Sequence, residues 1–299
     1  MKRAPRIGFI GAGMVGTVLA VKLSRLGYAV VAVHSRSLAS AQRLADSVSG
    51  CRSYPQGQGV AEAADLVFVT TPDSAIAPVV AALSWRPGQG VVHCSGADSL
   101  DILEPARKAG AQVACFHPLQ TFASVPQALE NLPGSTIALE GEGPLLEQLK
   151  EMAAELECRW VVLGAGDKVL YHAAAVIASK YTVTLMKMAT DLWGLFGIPG
   201  PEATRALLPL LQGTVNNLGE VGLPHCLTGP VARGDLGTIK KHLQALEERA
   251  PHLLPAYREL GLQTIPVALG KGRIDPSRAR EMETMLKARK EEAQSLARR

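Results

Sequence analysis

The chain has 299 residues, of which 47% are hydrophobic and 19% are charged, a composition typical of a soluble globular protein with room for two domains. Its formal net charge of +4 is small for this length and aromatic residues make up only 4%, so neither feature indicates a nucleic-acid partner. No apolar run approaches the roughly 20 residues that a bilayer-spanning helix needs. The N-terminal apolar run is broken by glycines, unlike that of a signal peptide. We therefore expect a cytoplasmic protein with no membrane partner.

The five cysteines are odd in number, widely spaced and without a CxxC pair. This pattern predicts neither a disulfide framework nor a structural zinc site, and we expect no metal. Cys94 and Cys115 end apolar strands, where we expect them to pack as small hydrophobic residues.

The first apolar strand, from Ile7 to Ile10, runs directly into a GxGxxG motif. Gly11 would permit a tight turn, Gly13 would let the backbone approach a pyrophosphate, and Gly16 would let the next helix pack closely on the sheet. The free N–H groups at the start of that helix would face the phosphates. The motif therefore predicts a dinucleotide site, with a glycine turn in an ordinary βα unit as the alternative. The predicted cofactor contacts in this segment are Gly11, Ala12, Gly13, Met14, Val15 and Gly16.

The second apolar strand leads to the residues that would select the dinucleotide. NAD sites usually carry an acidic residue about 20 residues after the first glycine, but the chain has none between Gly11 and Asp46. Arg36 lies near that position, between Ser35 and Ser37, and a guanidinium with two hydroxyls suits a 2′-phosphate. We therefore predict NADP(H) as the cofactor, held by these three residues. The alternative for Arg36 is a solvated loop arginine.

Strand and helix patterns continue to alternate up to about residue 163. One apolar strand runs from Leu66 into Thr71 and Pro72, and another runs from Gln89 into a loop of small residues. Loops at the carboxyl ends of strands bind the ligand in open α/β sheets. The predicted cofactor contacts there are Thr70, Thr71, Pro72, Ser95 and Gly96. A plain proline-containing helix start is the alternative for the first of these loops. The alternation predicts an α/β fold with a doubly wound, mostly parallel Rossmann-type sheet.

A glycine-rich segment at residues 164–166 marks a change in pattern, because only helical patterns follow it. We therefore predict a dinucleotide-binding Rossmann domain over residues 1–163 and an all-α substrate and dimerisation domain over residues 164–299. The tail from Pro276 to Arg299 is charged and is predicted to form an amphipathic helix. Its apolar side would consist of Met282, Met285, Leu286 and Leu296.

The first helix of the second domain is nearly all apolar from Tyr171 to Met188, so we expect most of its surface to be buried. A polar stripe within about a 60° arc of this helix consists of Lys180, Thr184, Lys187 and Asp191. In one interpretation, Lys180 lies in a cleft between the domains, where it anchors a substrate carboxylate or donates a proton to a carbonyl oxygen. In the other, the stripe is solvated and Lys187 pairs with Asp191.

Further substrate contacts are predicted at the ends of strands and helices. His117 follows the sixth strand, although an isolated histidine is more often a hydrogen-bonded structural residue; His172 is a weaker candidate. Arg233 would reach an anionic substrate or the cofactor of a partner subunit, whereas Asp235 is expected to cap the following helix. The full set of predicted substrate contacts is His117, Gln120, Lys180, Thr184 and Arg233.

Six segments carry a resemblance to a known family: IGFIGAGMVG, HSRS, HCSGADSL, HPLQTF, YHAAAVIASKYTVTL and LTGPVARGD. Over nearly its whole length the chain resembles bacterial Rossmann-like proteins with a C-terminal helical domain of unknown function. These are relatives of the 6-phosphogluconate dehydrogenase, pyrroline-5-carboxylate reductase and ketopantoate reductase superfamily. The resemblance implies a helical domain like that of 6-phosphogluconate dehydrogenase, which dimerises and has the active site beside its first helix. Lys180 matches a position where related reductases use Lys or Asn. The HPLQ loop is similar to the histidine-proline loop of prephenate dehydrogenases, which implies that His117 lies near the substrate.

Together these features predict an NADP-dependent oxidoreductase, a dehydrogenase or reductase that moves hydride between NADPH and a small carbonyl compound. A 2-keto acid such as ketopantoate is the expected substrate, and Lys180 and His117 are the predicted catalytic residues. The alternatives are an imine reductase of the pyrroline-5-carboxylate type and a non-catalytic NADP-binding sensor or partner protein. We expect a homodimer formed through the helical domain.

Overall fold

The computed structural model describes residues 5–164 and 166–288 of the chain. The chain forms two compact units, the first ending at Lys180 and the second beginning at Tyr181. The strands of the first unit are β1 (Ile7–Ile10), β2 (Val30–His34), β3 (Arg52–Ser53), β4 (Leu66–Val69), β5 (Gly90–His93), β6 (Gln112–Leu119), β7 (Thr136–Glu140) and β8 (Arg159–Val162).

The helices of the first unit are α1 (Met14–Arg25), α2 (Leu38–Asp46), α3 (Gly57–Ala63), α4 (Asp73–Ala81), α5 (Glu104–Lys108), α6 (Val125–Asn131) and α7 (Gly143–Glu155). Helix α8 (Asp167–Gly194) begins in the first unit and continues into the second. The later helices are α9 (Gly200–Glu220), α10 (Pro230–Arg233), α11 (Leu236–Arg249), α12 (Leu254–Gly270) and α13 (Pro276–Lys287). The predicted domain boundary, before residue 164, precedes α8, whereas the two compact units divide within it.

The eight strands form one sheet in the order β3-β2-β1-β4-β5-β6-β7-β8. Neighbouring strands are parallel except β6 and β7, which run antiparallel with Cys115 opposite Glu140. The strand order reverses beside β1 and β4, as in doubly wound dinucleotide-binding sheets. The predicted fold class is confirmed. As a consequence, the carboxyl ends of β1 to β6 all lie at one edge of the sheet.

Apolar cores cover both faces of this sheet. Phe9 and Phe68 face one core with helices α1, α2, α6 and α7, while Val67 and Val69 face the other with α3, α4 and α5. Successive residues of a strand point to opposite faces, so a strand with a core on each side must be apolar throughout, as β4 is. The rings of Phe9 and Phe68 stack at a centroid distance of 5.3 Å. The sheet that carries the carboxyl-edge loops is therefore rigidly packed.

The second unit has a core of its own between helices α11, α12 and α13. Asp235 begins α11 as its N-cap, with Oδ1 accepting from the Thr238 backbone N–H at 3.0 Å. The predicted capping role is confirmed. Met282 and Leu286 on α13 are buried, which agrees with the predicted apolar side of the tail helix. Leu296 lies outside the described residues.

Helix α8 departs from two expectations. It was expected to be mostly buried, yet Leu170 and Val183 are 77% and 70% exposed in the chain. It is also the one described helix whose length and hydropathy would suffice to cross a bilayer, so the expectation that no such run exists was wrong. An apolar composition predicts that a helix is buried, but it does not identify the surface that buries it. That surface can belong to another subunit.

Candidate active site

The turn after β1 is shaped by close contact with the loop after β4. Gly11 has a φ of +115°, and a Cβ there would lie 2.6 Å from the Thr70 carbonyl carbon. A Cβ at Gly16 would lie 2.5 Å from Thr70 Oγ1, which itself donates a hydrogen bond to Gly11 O at 2.7 Å. A Cβ at Gly13 would meet nothing within 4 Å. The first and third glycines are therefore required for packing, whereas the second borders open space at the start of α1.

A cavity of about 380 Å³ opens beside this turn. It is lined by Gly11–Gly13 after β1, by Ser35 and Arg36 after β2, and by Thr70–Pro72 after β4. The His34 ring also lines it, with Nδ1 3.0 Å from Tyr54 O. The cavity thus brings together the glycine turn, the arginine segment and the threonine loop, which the sequence predicted as parts of one site.

Some of the predicted cofactor contacts do not line this cavity. Ser37 caps α2, its hydroxyl accepting from the Ser40 backbone N–H at 3.3 Å. Ser95 and Gly96 follow β5, further along the same sheet edge. The predicted contacts that do not line the cavity are Met14, Val15, Gly16, Ser37, Ser95 and Gly96.

A cluster of buried polar groups occupies the carboxyl edge beside β5 and β6, and Lys168 is its central member. This lysine lies in the first turn of α8 and is only 2% exposed. Its Nζ donates to Ser95 O at 2.6 Å and to Cys115 Sγ at 2.8 Å. One ammonium group therefore joins the loop after β5, strand β6 and helix α8. Cys115 is a hydrogen-bond partner in this cluster as well as the buried residue that the sequence predicted.

His117 forms the open side of the same cluster. Its Nδ1 lies 2.8 Å from the Tyr171 hydroxyl, and its ring meets that of His172 edge-on at a centroid distance of 6.4 Å. A Cβ at Gly96 would come within 2.8 Å of His117 Nε2 and 2.7 Å of His172 Cδ2. Gly96 thus makes room for the two imidazoles, and the predicted candidate His117 lies among titratable partners.

Burial sets the protonation states of the cluster. Loss of solvent, together with the nearby Lys168 charge, lowers the pKa of His117 to about 4 and that of His93 to about 3, and loss of solvent is the larger cause in both. Loss of solvent also raises the pKa of the Tyr171 phenol and that of the Cys115 thiol, the latter to about 11. At neutral pH the imidazoles of His93 and His117, the phenol and the thiol are therefore all uncharged.

Such a set of groups can donate hydrogen bonds without supplying a strong acid. His93 Nδ1 accepts from the Ser95 backbone N–H at 3.2 Å, so its proton is on Nε2, which is buried and has no partner among the described residues. Neutral imidazole and phenol groups can polarise a carbonyl or imine group and help to protonate it. The cluster is thus chemically suited to act on a polar double bond.

The other predicted substrate contacts have different surroundings. Gln120 Nε2 donates to Asn131 O at 2.9 Å, and its Oε1 accepts from the Thr121 backbone N–H at 2.7 Å, so both ends of the amide are engaged locally. Arg233 is exposed on α10. The described residues contain no group of three or more His, Cys, Asp or Glu side chains that could hold a metal ion.

The polar stripe on α8 is exposed at Lys180 and Thr184. Lys180 Nζ lies 3.4 Å from Ser179 Oγ. Lys187 Nζ and Asp191 Oδ1 form an ion pair at 2.6 Å. The ion pair between Lys187 and Asp191 is the one expected if the stripe is exposed to solvent.

Sequence reasoning missed Lys168 and Tyr171. A signal was present, because Lys168, Tyr171 and His172 occupy positions i, i+3 and i+4 of an otherwise apolar helix and so share one face. The sequence-based prediction placed the catalytic lysine at Lys180 and did not consider the first turns of α8, which contact the sheet.

Two family models match the chain. Residues 2–118 match a Rossmann-like domain, and residues 135–264 match a domain of unknown function, DUF2520. The two matched segments follow one another along the chain in the order that the resemblance implied, which confirms the resemblance predicted from the motifs. No curated protein matches the chain.

Solved structures share the fold of this chain. A Bacteroides fragilis protein designated an NADP oxidoreductase is 27% identical, with a TM-score of 0.71, and the match covers 88% of this chain and 98% of that one. The Thermotoga maritima protein TM1727 is 28% identical, with a TM-score of 0.72 and coverages of 89% and 100%. A reductive aminase from Aspergillus terreus in complex with NADPH is 17% identical, with a TM-score of 0.60 and coverages of 97% and 95%.

The glycine geometry yields a stability prediction. Gly16→Ala should lower the free energy of unfolding by about 1–3 kcal/mol, because the added methyl group must displace the Thr70 side chain or the β1 turn. Gly13→Ala is the matched control and should cost less than about 1 kcal/mol, since its Cβ meets nothing. Urea unfolding followed by circular dichroism measures both. Equal losses in the two variants would contradict the packing role of Gly16.

Proposed function

We propose that this protein is an NADP-dependent oxidoreductase that transfers hydride between NADPH and a small substrate. The observation that carries the proposal is the alignment of two sites along one sheet edge. The cavity lies at the ends of β2, β1 and β4, and the polar cluster lies at the ends of β5 and β6. Three strand spacings, about 14 Å, separate β2 from β5, so an extended dinucleotide bound in the cavity would direct its nicotinamide toward the cluster.

The residues after β2 support NADP as the cofactor. Arg36 is exposed beside the cavity and is followed by the start of α2. Its guanidinium and the Ser35 hydroxyl would bind the ribose 2′-phosphate, while the open space beside Gly13 would admit the pyrophosphate. Similar structures include an NADP oxidoreductase and a reductase crystallised with NADPH, which supports the same cofactor here. The cofactor supplies the hydride, and the protein supplies binding and orientation.

A carbonyl substrate fits the charges of the cluster best. Hydride addition to a carbonyl develops negative charge on oxygen, which N–H and O–H donors and a nearby ammonium stabilise. Lys168 is that ammonium, and His117 would orient the substrate. A small 2-keto acid such as ketopantoate remains the leading candidate, with Lys180 as proton donor or carboxylate anchor. Gln120, Thr184 and Arg233 complete the proposed substrate contacts.

Imine reduction is the second candidate. Imine reductases and a pyrroline-5-carboxylate reductase share the fold at 15–20% identity. The neutral His117 imidazole could hydrogen-bond an imine nitrogen as well as a carbonyl oxygen. An iminium cation, however, would be repelled by the ammonium of Lys168, which is why the carbonyl substrate is placed first.

The exposed apolar surface of α8 and α9 supports a homodimer through the helical domain. Ile177 and Val183 on α8 and Leu210 on α9 are all more than 60% exposed. Large apolar residues that are this exposed are typical of surfaces that another molecule covers. We propose that a second copy of the chain covers them in a cytoplasmic dimer. The same cover would account for the bilayer-like composition of α8.

The cofactor proposal predicts a change of preference in Arg36→Ala. Loss of the guanidinium should weaken NADPH binding about 10- to 100-fold and leave NADH binding almost unchanged, because one or two charge-assisted hydrogen bonds to the 2′-phosphate are lost. Titration of the protein with each nucleotide, followed by fluorescence of the reduced nicotinamide, measures this. Arg25→Ala, at the far end of α1, is the control and should bind both nucleotides as the wild type does. An unchanged NADPH affinity in Arg36→Ala would exclude this arginine as the clamp.

The reaction class is tested by NADPH oxidation against a panel of 2-keto acids and cyclic imines. We expect turnover with at least one keto acid and a loss of about 100-fold in kcat/KM in His117→Ala. Turnover with imines alone would favour the second candidate. Tight NADPH binding without oxidation of any compound would indicate a non-catalytic NADP-binding protein.

A further inference from the structure

Lys168 combines deep burial with hydrogen bonds to two segments that are far from it in the sequence. Its two hydrogen-bond acceptors, Ser95 O and Cys115 Sγ, lie 73 and 53 residues away in the sequence. Both are uncharged, since the Cys115 side chain is a thiol at neutral pH. Electrostatic interactions between groups in a buried medium of low polarity are stronger than in water. Arginine and lysine side chains that serve only as surface charges are exposed to solvent and do not have buried, uncharged hydrogen-bond partners.

The titratable groups around His117 come from every element beside it. They are His93 at the end of β5, Asp98 in the following loop, Cys115 on β6, Glu140 on β7, and Lys168, Tyr171 and His172 on α8. Asp98 accepts a hydrogen bond from Ser95 Oγ at 2.9 Å, which binds it to its own loop. Lys168 and His172 are the groups whose charges act on His117.

A hydrogen bond of 2.8 Å joins the uncharged imidazole of His117 to the uncharged phenol of Tyr171. We assign the Tyr171 O–H as the donor and His117 Nδ1 as the acceptor. The remaining imidazole proton is then on Nε2. That nitrogen faces the space left by the missing side chain of Gly96, where a Cβ would lie at 2.8 Å. The N–H is therefore presented on the side of the glycine.

We infer that Tyr171 and Lys168 are positioning residues of the proposed reductase site: the Tyr171 hydroxyl fixes the tautomer of His117, so that Nε2–H donates a hydrogen bond to the substrate, and Lys168, which joins the loop after β5 and strand β6 to α8, places a fixed charge beside this imidazole. This inference rests on the proposed function for the identity of the acceptor, but its two structural parts do not need turnover. Neither residue touches the substrate. Tyr171 acts through His117 as a fixed hydrogen-bond donor, and Lys168 acts as a fixed charge, as such groups do in preorganised sites.

The sign of the pH dependence follows from the direction of the shift. His117 has a pKa lowered to about 4, so the neutral donor is present above that pH and is lost as the pH falls through it. Removing the Lys168 cation removes a repulsion against the imidazolium, so the pKa of His117 must rise toward its ordinary value of about 6.5. Because loss of solvent is the largest cause of the lowered pKa and remains in the variant, removal of the cation restores only part of the shift.

The test is the imidazole ¹⁵N spectrum of His117 across pH, assigned by its loss in His117→Gln. The wild type should show the Nε2–H tautomer and remain neutral down to about pH 4. Tyr171→Phe should give a mixture of tautomers, and Lys168→Met should raise the titration midpoint from about 4 part of the way toward 6.5. Lys168→Arg should keep the midpoint low. Lys150→Met, on α7, is the control and should change nothing.

Lys168→Gln replaces the methionine variant if that variant does not fold, because its amide can still donate to Ser95 O without carrying a charge. The inference is overturned by an Nδ1–H tautomer or an ordinary midpoint in the wild type. It is equally overturned by an unshifted midpoint in a folded Lys168→Met or Lys168→Gln variant. These outcomes are independent of NADPH oxidation, so failure of the proposed reductase activity would be seen separately, as absent turnover with normal His117 spectra.

Discussion

The first unit depends on the close approach of the β1 turn to the end of β4. Gly11 and Gly16 have no room for a Cβ, and the Thr70 hydroxyl bonds directly to Gly11 O. This contact sets helix α1 over the ends of the two central strands, at the point where the strand order reverses. Because the two strand ends meet without intervening side chains, a groove remains above them that is lined mainly by backbone. A ligand that binds through its phosphates can use this groove.

A second contact, made by Lys168, holds a helix at the ends of β5 and β6, as the glycine packing holds α1 at the ends of β1 and β4. It joins the sheet to the first turns of α8 through groups far apart in sequence. The two contacts give the sheet edge two chemically different halves. One half has glycines, hydroxyls and an exposed arginine, whereas the other has neutral, buried hydrogen-bonding groups around one ammonium. Cofactor binding and substrate polarisation would need these two environments in this order.

The first of these halves could be predicted from the sequence, because its signals are local. The glycine spacing, the apolar run of β4 and the absence of an acid before Asp46 are all properties of short segments. The second half depends on a long-range contact that no short segment reveals. The sequence does not distinguish a buried lysine in an apolar helix from one that reaches solvent. For this reason Lys180 was predicted as a catalytic residue, whereas Lys168 was not. Gln120 was predicted as a substrate contact, but its amide is engaged by its own loop.

The helical half illustrates the same limit. Cap and periodicity signals predicted the start of α11 and the apolar side of α13, since both are set within a few residues. The short helices α3 and α6 gave too few turns for a periodic pattern and were not predicted. The burial of α8 could not be predicted from its composition, because the covering surface is not specified by the helix itself.

We propose that the polar cluster beside β5 and β6 receives the nicotinamide of a bound NADP. A crystal structure of the protein with NADP would show where each end of the cofactor lies. We expect the 2′-phosphate at Arg36 and the nicotinamide ring beside Gly96, within hydrogen-bonding reach of a substrate held by His117. A nicotinamide ring directed away from the ends of β5 and β6, with the adenosine in the same cavity, would contradict it.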